Sequence, residues 1–120
     1  TDWQRDLAVS HNKVGGVYQA QGQLAAALAE YQAGQGIMQA LVARDPDNTG
    51  WQRDLSVSHN RVGSVYQAQG QLVAALAEYE ADLAIAERLA AGDPSNAQWQ
   101  DDLECTRQNV DALRRQVPGV

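Results

Sequence analysis

The sequence predicts an all-α fold, an α-solenoid of stacked antiparallel helix pairs with five helices. Three observations predict it. A 48-residue block recurs along the 120-residue chain, each block carries two stretches of apolar residues at helical spacing, and no stretch alternates apolar and polar residues as a half-buried strand would.

The recurrence is plain in the residues. Trp-Gln-Arg-Asp-Leu at Trp3 returns at Trp51, and a degraded Trp-Gln-Asp-Asp-Leu returns at Trp99. Aligned residue for residue, 3–50 and 51–98 share 32 identities in 48, and 25 of the first 29 pairs match, so the likeness is concentrated in each unit's first half. The spacing predicts a single array over 1–120, with repeat 1 at 1–48, repeat 2 at 49–96 and a C-terminal capping helix at 97–117.

Each unit divides into a helix A and a helix B. Trp51, Leu55, Val62 and Tyr66 fall at steps of 4, 7 and 4, which keeps them on one side of a 3.6-residue helix. Leu72, Leu76, Tyr79, Leu83, Ala86 and Leu89 form a second stripe, with Glu78, Asp82 and Glu87 mostly off it. Gln69-Gly70-Gln71, matched by Gln21-Gly22-Gln23, supplies a glycine that accepts the left-handed backbone ending a helix, so the chain reverses there. Helix B must stop near Asp45-Pro46 and Asp93-Pro94, because proline disfavours helical geometry in the residue before it. Thr49 with Gln52, and Thr1 with Gln4, have the spacing of a capping box at the start of helix A, which the third unit, with Ala97, lacks.

Glycine inside a helix costs about 1 kcal/mol relative to alanine, so Gly15 and Gly63 predict a close approach of helix B that a Cβ would block. The third unit has Asp111 there, and no helix B follows it. Leu103, Val110 and Leu113 keep an apolar stripe while Arg107 and Arg114 replace His59 and Tyr66, the polar-backed end that a solenoid needs for solubility. Pro118-Gly119 is expected to end both helix and array. Helix A of the first unit is expected to expose its stacking side, which a preceding repeat or a homodimer through that face would cover. Gly34 and Gly36, against Asp82 and Ala84, predict a first helix B looser by about 2 kcal/mol of summed propensity.

Composition bounds the partners. With 15 acidic and 9 basic side chains the net charge is −6. Nucleic acid and anionic membrane surfaces draw their affinity from clustered Lys and Arg, so neither is expected to bind. The longest apolar runs, 24–29 and 72–77, are six residues each, against the roughly 18 to 20 of a membrane-spanning helix. A single thiol, Cys105, and no basic-then-apolar leader predict a cytoplasmic setting. The opening Thr-Asp-Trp suggests a piece of a longer polypeptide.

Val62-Gly63, Tyr66, Gly70, Leu72, Ala75 and Tyr79, with Val14-Gly15, Tyr18, Gly22, Leu24, Ala27 and Tyr31 in the first unit, resemble the pattern of tetratricopeptide (TPR) repeats. The unit is 48 residues rather than the family's usual 34, nearer the long-helix repeats of the kinesin light chain kind and the tandem arrays of large bacterial proteins. His11 and His59 stand where the family usually has Trp, and Gly34 and Asp82 where it has a small residue. The resemblance implies a right-handed superhelix whose helices A line a concave groove for an extended peptide. On that basis Val9, Asn12, Lys13, Gly16 and Gln19 in the first unit and Val57, Asn60, Arg61, Ser64 and Gln67 in the second would line the groove. Gln108, Asn109 and Arg115 would continue it in the cap. Asn suits a peptide backbone and Lys or Arg a carboxylate, so an acidic or C-terminal-carboxylate ligand is implied. Duplication alone, however, would also preserve every one of these residues.

The remaining residues read as structural. His11 and His59 cannot share a metal ion, since stacked helices lie about 8 to 10 Å apart and two imidazoles on one zinc each sit about 2.1 Å from it; both read as packing or capping side chains. Cys105 reads as a small apolar filler, and Glu78, Glu80 and Asp82 as a solvated face. No phosphate loop, metal set or enclosed carboxylate pair occurs, and no cofactor or catalysis is expected. The reading is a protein-interaction scaffold. A structural spacer or self-association block, or the sensor arm of a fused effector enzyme, are the alternatives.

Overall fold

The computed structural model describes residues 2–117 and is all-helical. Five helices follow one another among them: α1 (Asp2–Ala20), α2 (Leu24–Arg44), α3 (Thr49–Ala68), α4 (Leu72–Gly92) and α5 (Ala97–Gln116). Each helix packs on its neighbours in sequence, α1 on α2, α2 on α3, α3 on α4 and α4 on α5, and α1 also touches α3. This is the stack of helix pairs that the 48-residue period implies.

The reversals lie where the sequence puts them. Gly22 and Gly70 take φ of +76° and +77°, and the Gln23 and Gln71 N–H groups donate back to the Tyr18 and Tyr66 carbonyls, both at 2.9 Å. The six-residue closure satisfies carbonyls that the helix end would leave bare. Asp45 and Asp93 end α2 and α4 immediately before their prolines.

The helix-A starts differ from expectation. The cap of α3 is Asn48, not Thr49: its Oδ1 accepts the Trp51 N–H at 3.0 Å, and Thr49 already lies inside the helix. Asn96 does the same for Trp99 at 3.1 Å, so the third unit, which has Ala97 in place of the threonine of the expected box, is capped all the same. Gln52 and Gln100 turn to the linker instead, donating to the carbonyls of Pro46 and, at 3.5 Å, Pro94. Each Asn has extended backbone and lies one residue before the helix, where its side-chain oxygen reaches the N–H three residues on. The Thr1–Gln4 box and the Pro118-Gly119 stop involve residues outside those described.

The apolar stripes meet across the units. Ala27 and Tyr31 of α2 pack with Val62 and Val65 of α3, all at most 1% exposed. Met38 and Leu41 join Ala8, Leu55, Ile85 and Leu89, with Trp51 and Trp99 against them. Ala75, Leu76 and Tyr79 of α4 hold Val110 and Leu113 of the cap. Arg107, Asp111 and Arg114 are exposed on the other side of α5.

The two interior glycines of helix A do the work expected of them. A Cβ on Gly15 would fall 2.7 Å from the ring of Tyr31, and one on Gly63 would fall 3.2 Å from Tyr79 and 3.3 Å from the Glu78 Cβ. The close neighbour is thus the face of a buried tyrosine rather than backbone. The expectation for Gly34 is corrected in part. Gly34 is buried, and a Cβ there would lie 3.0 Å from both the Ala8 carbonyl and the Asn12 Oδ1, so its low propensity is matched by intimate contact of α2 with α1. Of the two glycines within α2, Gly36 alone has nothing within 4 Å of such a Cβ.

Three alanine substitutions separate these roles by urea denaturation. Gly36→Ala should stabilise by about 1 kcal/mol through propensity alone. Gly15→Ala and Gly34→Ala should destabilise by about 1 to 3 kcal/mol through overpacking. Equal effects at all three would reject the packing role.

Candidate functional site

The face made by the three helices A carries two cavities that are copies of one another. The first, about 420 Å³, lies between α1 and α3. The second, about 290 Å³, lies between α3 and α5. Moving by 48 residues, Ala8, Val9, Asn12 and Lys13 become Ser56, Val57, Asn60 and Arg61 on one wall, and Asp54, Val57 and Arg61 become Asp102, Cys105 and Asn109 on the other. Val57, Arg53 and Arg61 belong to both, so the two cavities adjoin along α3.

The groove residues expected from the sequence divide into two sets. Val9, Asn12, Lys13 and Gly16, with Val57, Asn60, Arg61 and Asn109, line the cavities. Gln19, Ser64, Gln67, Gln108 and Arg115 do not. Gln19 and Gln67 accept the hydroxyls of Tyr31 and Tyr79 at 3.0 and 3.1 Å, and Gln19 also donates to Ser64 at 3.3 Å, so they clamp the rings beneath Gly15 and Gly63. Ser64 donates to the Arg61 carbonyl, Arg115 to the Asp111 carbonyl, and Gln108 to Glu104, all within α3 or α5.

Sequence reasoning missed an ion-pair ladder joining successive helices A. Arg5 Nε meets Asp54 at 2.6 Å, and 48 residues on Arg53 Nε meets Asp102 at 3.4 Å. The period was the available signal, since Arg5 and Arg53, and Asp54 and Asp102, are repeat equivalents. Lys13 and Arg61, by contrast, are exposed and have no anionic partner among the described residues.

The floors of the cavities differ. Gly34 underlies Asn12 in the first. Asp82 lines the second and is 3% exposed, which corrects its assignment to a solvated face. It accepts hydrogen bonds from Ser56, from Thr106 at 3.4 Å, and from Asn60. Burial pushes its carboxyl above the ordinary 3.8, and the hydrogen bonds offset this only in part. The paired change was legible, since Ala8 with Gly34 becomes Ser56 with Asp82: the hydroxyl and the carboxylate enter together. In the first cavity the Asn12 Oδ1 is sealed from water without a donor.

Glu78 is also drawn inward. His59 Nδ1 lies 3.4 Å from one carboxylate oxygen, and Gln35 of α2 donates to the other at 2.9 Å while also lying 2.9 Å from the same ring nitrogen. Burial would raise Glu78, but the hydrogen bonds from His59 and Gln35 and the charge of His59 outweigh it, and the carboxyl falls below its ordinary 4.5. His11 and Glu30 repeat the pair at 2.6 Å. Both histidines therefore tie helix A to helix B within a unit, and Glu80 alone of the acidic run stays exposed. Cys105, expected as an apolar filler, is exposed at the second cavity, where Val57 stands in the first. Helix α5 turns this position toward the groove, and no other helix A covers it among the described residues.

No group of three or more His, Cys, Asp or Glu is placed to hold a metal ion among the described residues. No helix there is long and apolar enough to cross a membrane. No family model, curated protein or solved structure matches the chain.

The buried carboxylate fixes a pH dependence. Above 3.8 and up to its raised value, Asp82 holds its proton more firmly in the folded chain than in the unfolded one, so stability falls as pH rises through that window. Glu78 acts in the opposite sense and below 4.5. Asp82→Asn should remove the decline above 3.8 in urea-denaturation profiles taken at several pH values. A decline of unchanged size would contradict the assignment.

Proposed function

We propose that this chain is a non-enzymatic protein-interaction module of the TPR kind, whose row of helices A holds an extended, acidic segment of another protein. The observation that carries this reading is the first cavity. In a chain of net charge −6 it gathers Lys13, Arg53 and Arg61 against the single carboxylate of Asp54. Asp54 is met by Arg5 and Arg53 by Asp102, which leaves Lys13 and Arg61 as the charges open to a ligand. The second cavity sets Arg53 and Arg61 against Asp82 and Asp102. An acidic side chain or a chain-terminal carboxylate therefore finds its best complement at Lys13 and Arg61. Asn12, through its amide N–H since its Oδ1 is sealed from water, and Asn60 beside them would donate to the peptide backbone.

The paired cavities give the reading its geometry. Val9 and Val57 supply apolar contact between the polar residues, and the two cavities adjoin along α3, which suits an extended segment. Lys13 and Arg61 are the sharper probes, because Asn60 also holds Asp82 and its loss would disturb the fold.

Selection from a displayed library of random peptides provides the test. Acidic peptides should be enriched, and Lys13→Ala with Arg61→Ala should weaken a selected peptide about tenfold, or about 1.4 kcal/mol, with an unchanged melting temperature. Selected peptides without acidic residues, or affinity indifferent to the double substitution, would reject the assignment.

A further inference from the structure

We propose that the outer face of α1 is a docking surface for one amphipathic helix of the α2 and α4 type, contributed by another repeat-bearing segment. Among the described residues, four of the five large apolar side chains left exposed lie on α1: Trp3 at 66%, Leu7 at 42%, Val14 at 43% and Val17 at 57%. The same four residue types stand 48 positions on, where Leu55 is 9% exposed, Val62 and Val65 are 0%, and Trp51 is packed against the core. In the third unit Leu103, Val110 and Leu113 are 8%, 0% and 1% exposed. The difference lies in the neighbour and not in the face. Helix α2 covers this face of α3 and helix α4 covers that of α5, while among the described residues no helix covers it on α1.

The complement is therefore defined within the molecule. On α2 it is the stripe Ala27, Tyr31, Met38 and Leu41, which meets α3 through residues identical to those bare on α1. A second folded copy cannot provide it, because α2 lies between α1 and α3 and α4 lies between α3 and α5. The far side of α5 offers only polar residues such as Arg107, Asp111 and Arg114. A docking helix would end near Trp3, as α2 ends near Trp51. Four large apolar side chains exposed along one face of a helix, whose repeat equivalents are buried by a neighbouring helix, mark an interaction site rather than ordinary surface.

The test places a second copy of residues 21–48 ahead of residue 1 and measures amide exchange along α1. Exchange at 7–17 should slow by about tenfold or more in the extended chain. An extension carrying Tyr31→Ser and Leu41→Ser in its own copy should not slow it. As a second reading that leaves the chain intact, a free peptide of residues 21–48 should shift the Trp3 indole resonance, and the doubly substituted peptide should not. Equal protection by both extensions, or no protection and no shift, would overturn the proposal. So would concentration-dependent protection of α1 in the unextended chain, which would show a second copy as the occupant.

Discussion

No single unit of this chain can hide its own apolar surface. Helix A has its stripe on the side away from its partner in the pair, so that stripe is buried only when the helix B before it lies across it. Val62 and Val65 disappear beneath Ala27 and Tyr31, Val110 and Leu113 beneath Ala75 and Tyr79, and Val14 and Val17 remain in solvent. Burying a valine contributes about 1.5 kcal/mol or more, so the contact between units is a main source of stability. It also sets the spacing of the helices A, and hence of everything on the face they share.

That spacing turns one cavity geometry into two. The cavities are repeats of each other in their walls, yet a single pair of substitutions gives them different floors. Where Ala8 and Gly34 let α2 settle closely on α1, Ser56 and Asp82 introduce a carboxylate that the second cavity must satisfy from its own residues. The second cavity is thereby close to neutral, and the first keeps its positive excess. Duplication supplied the scaffold, and divergence at a few positions distinguished the sites. The same ladder of Arg and Asp that links successive helices A also engages Arg53 and Asp54 in pairs of their own.

The fold was largely legible because its signals are periodic. The glycines at 15 and 63, the turn glycines at 22 and 70, and the prolines at 46 and 94 each impose a local backbone or packing demand that one residue type meets. The cap was misplaced because Thr49 and Asn48 are both competent capping residues, and only the backbone decides between them. The site was half legible. Asn12, Lys13, Asn60 and Arg61 line the cavities, whereas Gln19 and Gln67 are drawn to tyrosine hydroxyls. Asp82 escaped because charge along one helix says nothing of what the next helix brings against it. Ser56 and Thr106 come from helices 26 residues before and 24 residues after it.

The contact between units is observed most directly by nuclear Overhauser spectroscopy on the full chain, with the methyl groups of Val62 and Val65 labelled. Cross-peaks to the Ala27 methyl and the Tyr31 ring, together with slow exchange of the α3 amides, are what stacked units require. Cross-peaks confined to α3 and α4, with α2 silent, would mean that each pair of helices stands alone, and the account of both the fold and the groove would fail.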